Sequence, residues 1–224
     1  MNTTSMILTV LIYALPVLFA ITVHEAAHGY VARYLGDNTA YAMGRVTLNP
    51  IKHIDPIGTI LMPLLLFFAT KGMFLFGYAK PVPVTFRNLR HPKRDMIWVA
   101  LAGPASNLIQ AVMWAIAYAV LGLVGFEEQF FLEMCKAGVL VNFVMWAFNL
   151  FPLPPLDGGR ILVGLLPWKA AMVVSKVERF GFFIVLALVM LGIVGTYWLW
   201  PLLQAGYFGL DLLNLGTPLP SRIR

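Results

Sequence analysis

The sequence predicts an all-α protein that crosses a membrane several times. Three observations carry that prediction. Of its 224 residues, 60% are hydrophobic and only 12% are charged, where a soluble domain carries about 25% charged residues. Mean hydropathy is +0.80. Several apolar runs also reach the roughly 20 residues that a membrane helix needs. The net charge of +6 therefore reads as loop charge that sets topology. It is not a nucleic-acid footprint, because no Lys/Arg run is interleaved with stacking aromatics in a soluble segment. Cys135 is the single cysteine, which excludes an internal disulfide and a Cys-rich zinc site. It fits a small buried helix residue.

The first apolar run, residues 6–34, reads as one helix. No Lys or Arg precedes it, whereas a cleaved signal peptide has a basic start, so the helix is expected to be retained. It is expected to continue to Leu35 and stop at Gly36, with Asp37 and Asn38 beyond. Pro16 inside it either kinks it or is tolerated, as in other membrane helices. Residues 38–56 are polar and rich in turn pairs such as Gly44-Arg45, Asn49-Pro50 and Asp55-Pro56. Within them, 39–48 fits a short β-hairpin or edge strand.

Residues 57–79 are apolar but broken by Pro63 and by Lys71-Gly72. Arg33, Arg45 and Lys52 precede them, and Lys80, Arg87, Arg90, Lys93 and Arg94 follow. The positive-inside rule puts both sets on the cytoplasmic side, which one crossing does not allow. A re-entrant hairpin turning at Lys71-Gly72 is favoured over a single span that breaks the rule. The run is too short for two full spans.

Residues 96–124 form a long apolar helix in which Gly103, Asn107, Ala111, Ala115 and Ala119 recur every four residues. Such a small-residue stripe lets another helix approach closely. Glu127, Glu128 and Glu133 in the next loop suit the outer side. Residues 137–151 return inward and run into the break Asn149-Leu150-Phe151-Pro152-Leu153-Pro154-Pro155-Leu156-Asp157-Gly158-Gly159. Arg160, Lys169, Lys176 and Arg179 place 160–179 inside, with room for a short interfacial helix. Residues 180–203 span outward, and Tyr197, Trp198 and Trp200 read as an interfacial belt. Residues 204–224 are expected to be a weakly structured tail, with 206–215 lying on the membrane. The expectation is one membrane-embedded domain over 1–224. It has about four full transmembrane helices plus a re-entrant or extra membrane segment at 57–79.

The first helix also carries a chemical pattern, His24-Glu25-Ala26-Ala27-His28. Two histidines four apart share one face of a helix, so both imidazoles can reach a single metal ion. Glu25 stands beside them, placed to handle a proton on a metal-activated water. At 1.5 Å per residue, His28 lies about 8 Å and His24 about 14 Å before Arg33. The site is thus expected inside the bilayer, nearer the Arg33 side, where ionisable groups are costly and usually functional.

A catalytic zinc keeps three protein ligands and one open position, so a third ligand must come from elsewhere. Asp157 is the strongest candidate. It is the only acidic residue between Lys136 and Lys176 and sits in a proline-rich break on the same expected side as Arg33. Pro152, Pro154 and Pro155 stop the preceding helix, and Gly158-Gly159 permit an unusual backbone path. On these grounds alone a turn or cap role for Asp157 stays open. His53, in a polar loop on the same side, is the rival third ligand, weighed against a solvated or structural role. His91 reads as an interfacial loop residue and Asn107 as helix-packing glue. Asn149, just before the break on its own helix, reads as a site residue.

Three segments now stand together: the H-E-x-x-H helix, the helix start Ala102-Gly103-Pro104-Ala105-Ser106-Asn107, and the break from Asn149 through Pro152-Leu153-Pro154 to Leu156-Asp157-Gly158. They resemble the site-2 protease family of intramembrane zinc metalloproteases, in the family's order and over roughly residues 7–165. Gly44-Arg45-Val46-Thr47-Leu48-Asn49-Pro50 and His53-Ile54-Asp55-Pro56-Ile57-Gly58-Thr59 are similar to segments of its minimal members, and the expectation is a minimal member without an appended PDZ or CBS domain.

The resemblance implies one Zn2+ per chain held by His24, His28 and Asp157. It implies Glu25 as general base and Asn149 as a residue that positions substrate or stabilises an oxyanion. The implied reaction is peptide hydrolysis in a membrane-spanning protein substrate near the cytoplasmic face of a prokaryotic inner (plasma) membrane. Zinc supplies a Lewis acid and an acidified water, and Glu25 passes the water proton to the leaving amine. Residues 39–48 would pair with an extended substrate as an added strand. The lipid bilayer is an expected partner and nucleic acid is not. Two rival readings are a metal-ion transporter using the same His/His/Asp site, which needs access from both faces, and a catalytically silent scaffold.

Overall fold

A computed structural model of the chain describes residues 3–62, 65 and 80–220, and helix is the only regular structure among them. Helix α1 spans Thr3–Tyr34 and runs through Pro16. It ends where expected, by a Schellman closure. Gly36 takes φ +113°, its amide donates to the Arg33 carbonyl, and the Asp37 amide donates to the Ala32 carbonyl.

The same device corrects the reading of 39–48. A short helix, α2 (Thr39–Ala42), stands where a hairpin or edge strand was expected. Gly44, at φ +64°, closes it with bonds from its own amide to Tyr41 and from the Arg45 amide to Ala40. A glycine in the left-handed region serves a hairpin turn and a helix end equally well, and here it ends a helix. Asn49 and Asp55, which read as turn residues, are caps. Asn49 accepts from the Ile51 amide before the turn Pro50–Lys52, and Asp55 accepts from the Ile57 and Gly58 amides before the π-helical stretch Pro56–Leu61. Each is followed by a proline in the first helical position, where a missing amide hydrogen costs nothing. The re-entrant hairpin expected at 57–79 falls mainly outside the described residues.

Helix α3 (Pro92–Leu123) and helix α4 (Gln129–Asn149) form the next pair. At the start of α3 the Asp95 carboxylate accepts from the His91 amide at 2.8 Å, satisfying one orphan donor and placing negative charge at the positive helix end. Helix α5 (Asp157–Leu165) and helix α6 (Trp168–Met190) follow the proline break. A π-helical stretch, Gly195–Leu199, leads into helix α7 (Trp200–Leu212).

Helices α1, α3 and α4 are each long and apolar enough to cross a membrane. The α6 helix and residues 195–212 pass the same test together but meet at a bend of 82°, with Gly192 at φ +73° in the break. Three to four membrane-capable helices among the described residues agree with the expected all-α architecture. The last part differs in detail. Residues 204–212, expected as weakly structured tail, belong to α7, and 213–220 have no regular structure.

The packing is that of an inside-out core. Helices α1, α3 and α4 pack against one another. Among the described residues, ten of the twenty buried apolar side chains are alanine, while large ones such as Phe19, Ile109, Met113 and Phe183 face outward. Small residues inside and large apolar residues outside suit a lipid surround, where close backbone approach holds helices together. The stripe on α3 does this as expected: Ala111 and Ala115 are fully buried against Val139 and Phe143 of α4 and Leu210 of α7. Gly138 lets α4 lie directly on the Trp114 ring, 2.3 Å from where a Cβ would stand. Cys135 is buried in α4, as expected.

The loop before α3 is tied to the end of α1 by the buried Asp37. Its carboxylate accepts from the Thr39 amide at 3.0 Å, the Thr39 hydroxyl, the Asn88 side chain at 3.1 Å and the Thr85 amide at 2.6 Å. Burial alone would raise its pKa, but these donors outweigh it and hold the carboxyl below its ordinary value of 3.8. A lowered folded-state pKa contributes stability that is present above the unfolded value and is lost as pH falls through the folded one. Asp37→Asn is therefore expected to cost about 2 kcal/mol at neutral pH, as loss of a charged hydrogen-bond acceptor does. The gap in thermal midpoint from wild type, measured in detergent, should narrow as pH drops below 3.8. A gap independent of pH would exclude this role.

Candidate metal centre

His24 and His28 lie one turn apart on the buried face of α1, and Asp157 opens α5. Chain reversal at the proline break brings the aspartate onto the two rings. The His24 Nε2 and His28 Nε2 atoms are 3.1 Å apart. The Asp157 Oδ2 atom lies 3.2 Å from the first and 3.3 Å from the second. Tetrahedral zinc with bonds near 2.0–2.1 Å sets its ligand atoms about 3.3 Å apart, so the triangle fits a tetrahedral ion. One further fact agrees: Asp157 Oδ2 is buried without a hydrogen-bond partner. No other group of three or more candidate ligands occurs among the described residues.

The rings are aimed by groups that the sequence did not reveal. His24 Nδ1 meets Asn107 Oδ1 at 2.6 Å. The Asn107 amide nitrogen donates to the Ala20 carbonyl at 3.2 Å and to Asn142 Oδ1 at 2.9 Å. The Asn142 amide nitrogen in turn donates to the Gly138 carbonyl at 2.9 Å. A carbonyl only accepts, so both amide orientations are fixed and Asn107 presents oxygen to the ring. His24 must then carry its proton on Nδ1 and offer the Nε2 lone pair. His28 is fixed likewise, by Nδ1 donating to the Val99 carbonyl at 2.7 Å. Asn107, expected as packing glue, thus also orients a ring, and Asn142 drew no notice in the sequence.

Gly103 completes the aim. A Cβ there would stand 2.4 Å from His28 Nε2 and 2.6 Å from His24 Cε1. The helix approach at the top of the stripe therefore leaves room for the two rings and nothing more. Gly158 and Gly159 act in the same way rather than through an unusual backbone path. Both lie in α5, and Cβ atoms there would fall 2.2 Å from the Leu150 carbonyl oxygen and 2.0 Å from the Pro154 nitrogen.

Glu25 is half-buried, and its Oε2 accepts from the Val82 amide at 2.7 Å. The cavity beside it has a volume of about 140 Å3 and is bordered by the three candidate ligands, Asn149, Arg160, Pro81, Val82 and Val84, room for a few waters at about 30 Å3 each. One amide hydrogen of Asn149 goes to the Met145 carbonyl at 3.0 Å, which leaves the other for the cavity. The Arg160 guanidinium lies 5.6 Å from the Phe86 ring. His53 is not part of the cluster. It is buried, with Nε2 2.8 Å from the Thr47 carbonyl and Nδ1 without a partner.

Residues 126–192, a stretch holding Asn149 and Asp157, match the profile of Peptidase family M50. The chain is 41% identical over 194 residues to a Bacillus subtilis protein named "Putative zinc metalloprotease YwhC", covering 83% of this chain and 82% of the relative. It is 30% identical over 179 residues to a Mycolicibacterium smegmatis protein named "Putative zinc metalloprotease Rip2", covering 76% and 63%. Its Mycobacterium tuberculosis counterpart of the same name is 28% identical over 196 residues, covering 86% and 68%. No solved structure matches the chain significantly.

If Asn107 fixes the tautomer of a metal ligand, Asn107→Ala should weaken zinc binding about 10- to 100-fold, as loss of such partners does elsewhere. Competition with a fluorescent chelator measures this. Unaltered affinity would contradict it.

Proposed function

The chain belongs to peptidase family M50, the site-2 protease family, and is a zinc metalloprotease; from that premise we propose that it is an intramembrane endopeptidase acting on membrane-spanning protein substrates. The observation that carries this reading is the triangle of His24, His28 and Asp157 donor atoms, with both histidines on a helix long and apolar enough to cross a membrane. These three residues hold the zinc in this reading. When bound, zinc supplies a Lewis acid and an acidified water.

The chain's own groups do the rest. Glu25 keeps a carboxylate at the cavity, removes a proton from water and returns it to the leaving amine. The second amide hydrogen of Asn149 is available to a carbonyl oxygen as it gains charge. A substrate helix spends its peptide groups on its own hydrogen bonds, so it must unwind locally to present an extended backbone at the cavity. Residues 39–48 are helix and turn, so strand addition there has lost its basis.

Orientation follows the charges. Arg33 lies in the last turn of α1 and the Arg90 amide donates to the Leu35 carbonyl just beyond it, and the positive-inside rule assigns that end to the cytoplasm. The membrane in this reading is a prokaryotic plasma membrane. A transporter with the same three donors would have no use for Glu25 beside them.

Glu25→Gln should keep its zinc and lose cleavage of a single-span reporter protein by at least about 100-fold, the lower range for removal of a general base. Mass spectrometry of the products and metal analysis of the same sample check both halves. An active Glu25→Gln protein would overturn the assignment.

A further inference from the structure

We propose that residues 80–85 form a strap that positions the Glu25 carboxylate, and that Arg45 is the residue that sets the strap. The inference rests on the reading of Glu25 as general base.

Arg45 is buried, at 8% exposure, yet among the described residues no carboxylate pairs with it. Its Nη2 donates to two consecutive backbone carbonyls, Lys80 at 2.9 Å and Pro81 at 3.3 Å. Burying a guanidinium without a counter-charge is unfavourable, so a neutral carbonyl partner is a poor reason to keep one for stability. A planar, forked donor does fix the direction of the peptide it grips.

The strap is held at both ends besides. The Lys80 amide donates to the His53 carbonyl at 3.0 Å, and the Thr85 amide donates to Asp37 Oδ2 at 2.6 Å. Its middle is stiff. Pro81 and Pro83 fix their own φ angles, and each biases the residue before it toward an extended backbone. Neither has an amide hydrogen, so Val82 carries the single N–H between Lys80 and Val84. That hydrogen goes to Glu25 Oε2 at 2.7 Å.

The strap also fits closely on the catalytic helix. A Cβ on Gly29 would meet Val82 Cγ1 at 3.1 Å and Val46 Cγ2 at 3.0 Å, so the strap has little freedom to shift toward α1. A single neutral donor on Oε2 holds the carboxylate plane and leaves Oε1 for the reacting water. Arg45, His53 and Asp37, none of which borders the cavity, act through this one bond. They are positioning residues.

The test uses the full chain with a single-span reporter, comparing wild type, Arg45→Ala, Arg45→Lys and Glu25→Gln. Steady-state rates, zinc content and thermal midpoint are measured for each. Arg45→Ala is expected to lower kcat about 10- to 100-fold, the scale for a misplaced reacting group, with KM and zinc content unchanged. Arg45→Lys, which keeps a donor, should recover part of the loss. A wild-type kcat per zinc-loaded molecule of Arg45→Ala would overturn the proposal, whatever its thermal midpoint. Should Arg45→Ala fail to fold, Val82→Pro replaces it: it deletes the hydrogen given to Glu25 and exchanges the Val82 side chain packed on Gly29 for a ring of similar size. The same fall in kcat with zinc retained is expected there, and a wild-type kcat would overturn the proposal equally. An active Glu25→Gln protein removes the underlying base assignment. An inactive Glu25→Gln beside a fully active Arg45→Ala removes the strap's role alone.

Discussion

The contact of Gly103 with the imidazoles of His24 and His28 is the constraint on which the rest of the centre depends. Two histidines a turn apart on a helix can point in many directions, because each has free rotation at two bonds. Here a neighbouring helix passes so close that a Cβ would collide with both rings. The approach selects one rotamer for each ring. The same helix then supplies the Asn107 oxygen and the Val99 carbonyl that take the Nδ1 protons. Orientation and tautomer are set by one helix–helix contact, before any ligand from elsewhere is considered. Asp157 is delivered to the resulting gap by a second set of glycine contacts, at Gly158 and Gly159.

That arrangement answers the problem posed by an apolar surround. A buried polar group without a partner costs about as much as several buried methylenes gain. The bundle therefore concentrates its polar groups in closed networks. One runs from His24 through Asn107 and Asn142 to the Gly138 carbonyl. Another gathers Thr39, Thr85 and Asn88 around Asp37. Asp157 Oδ2 stands outside both, without a hydrogen-bond partner. A partnerless carboxylate oxygen 3.2 and 3.3 Å from two imidazole nitrogens is what a metal ligand looks like before the ion is counted.

The legible parts of the sequence were those with a local period. Two histidines at a four-residue spacing announce one helix face, and the small stripe on α3 announces a close approach. Charge and hydropathy together gave the helical architecture. What could not be read depended on partners far apart in the chain. Asn107 looked like packing glue because its ring partner lies 83 residues away, and no local spacing encodes that contact. Gly44 misled for a different reason: a left-handed glycine serves a hairpin and a helix end alike, so 39–48 was read as strand where α2 forms. Gly158-Gly159 were noticed, but for backbone freedom rather than for the absence of side chains. The place of His53 in a polar loop suggests a ligand, whereas its Nε2 lies 2.8 Å from the Thr47 carbonyl and the ring stands outside the cluster of three. Asp157 emerged by elimination and was secured only by the resemblance of the whole proline-rich break to a family.

The central claim is that one zinc is held by two imidazoles and one carboxylate inside an apolar helix bundle. X-ray absorption at the zinc edge of the loaded, detergent-purified chain tests it most directly. The predicted spectrum has two imidazole nitrogens and oxygen ligands at about 2.0–2.2 Å, without sulfur. A sulfur shell near 2.3 Å, or scattering from a single imidazole, would contradict the account.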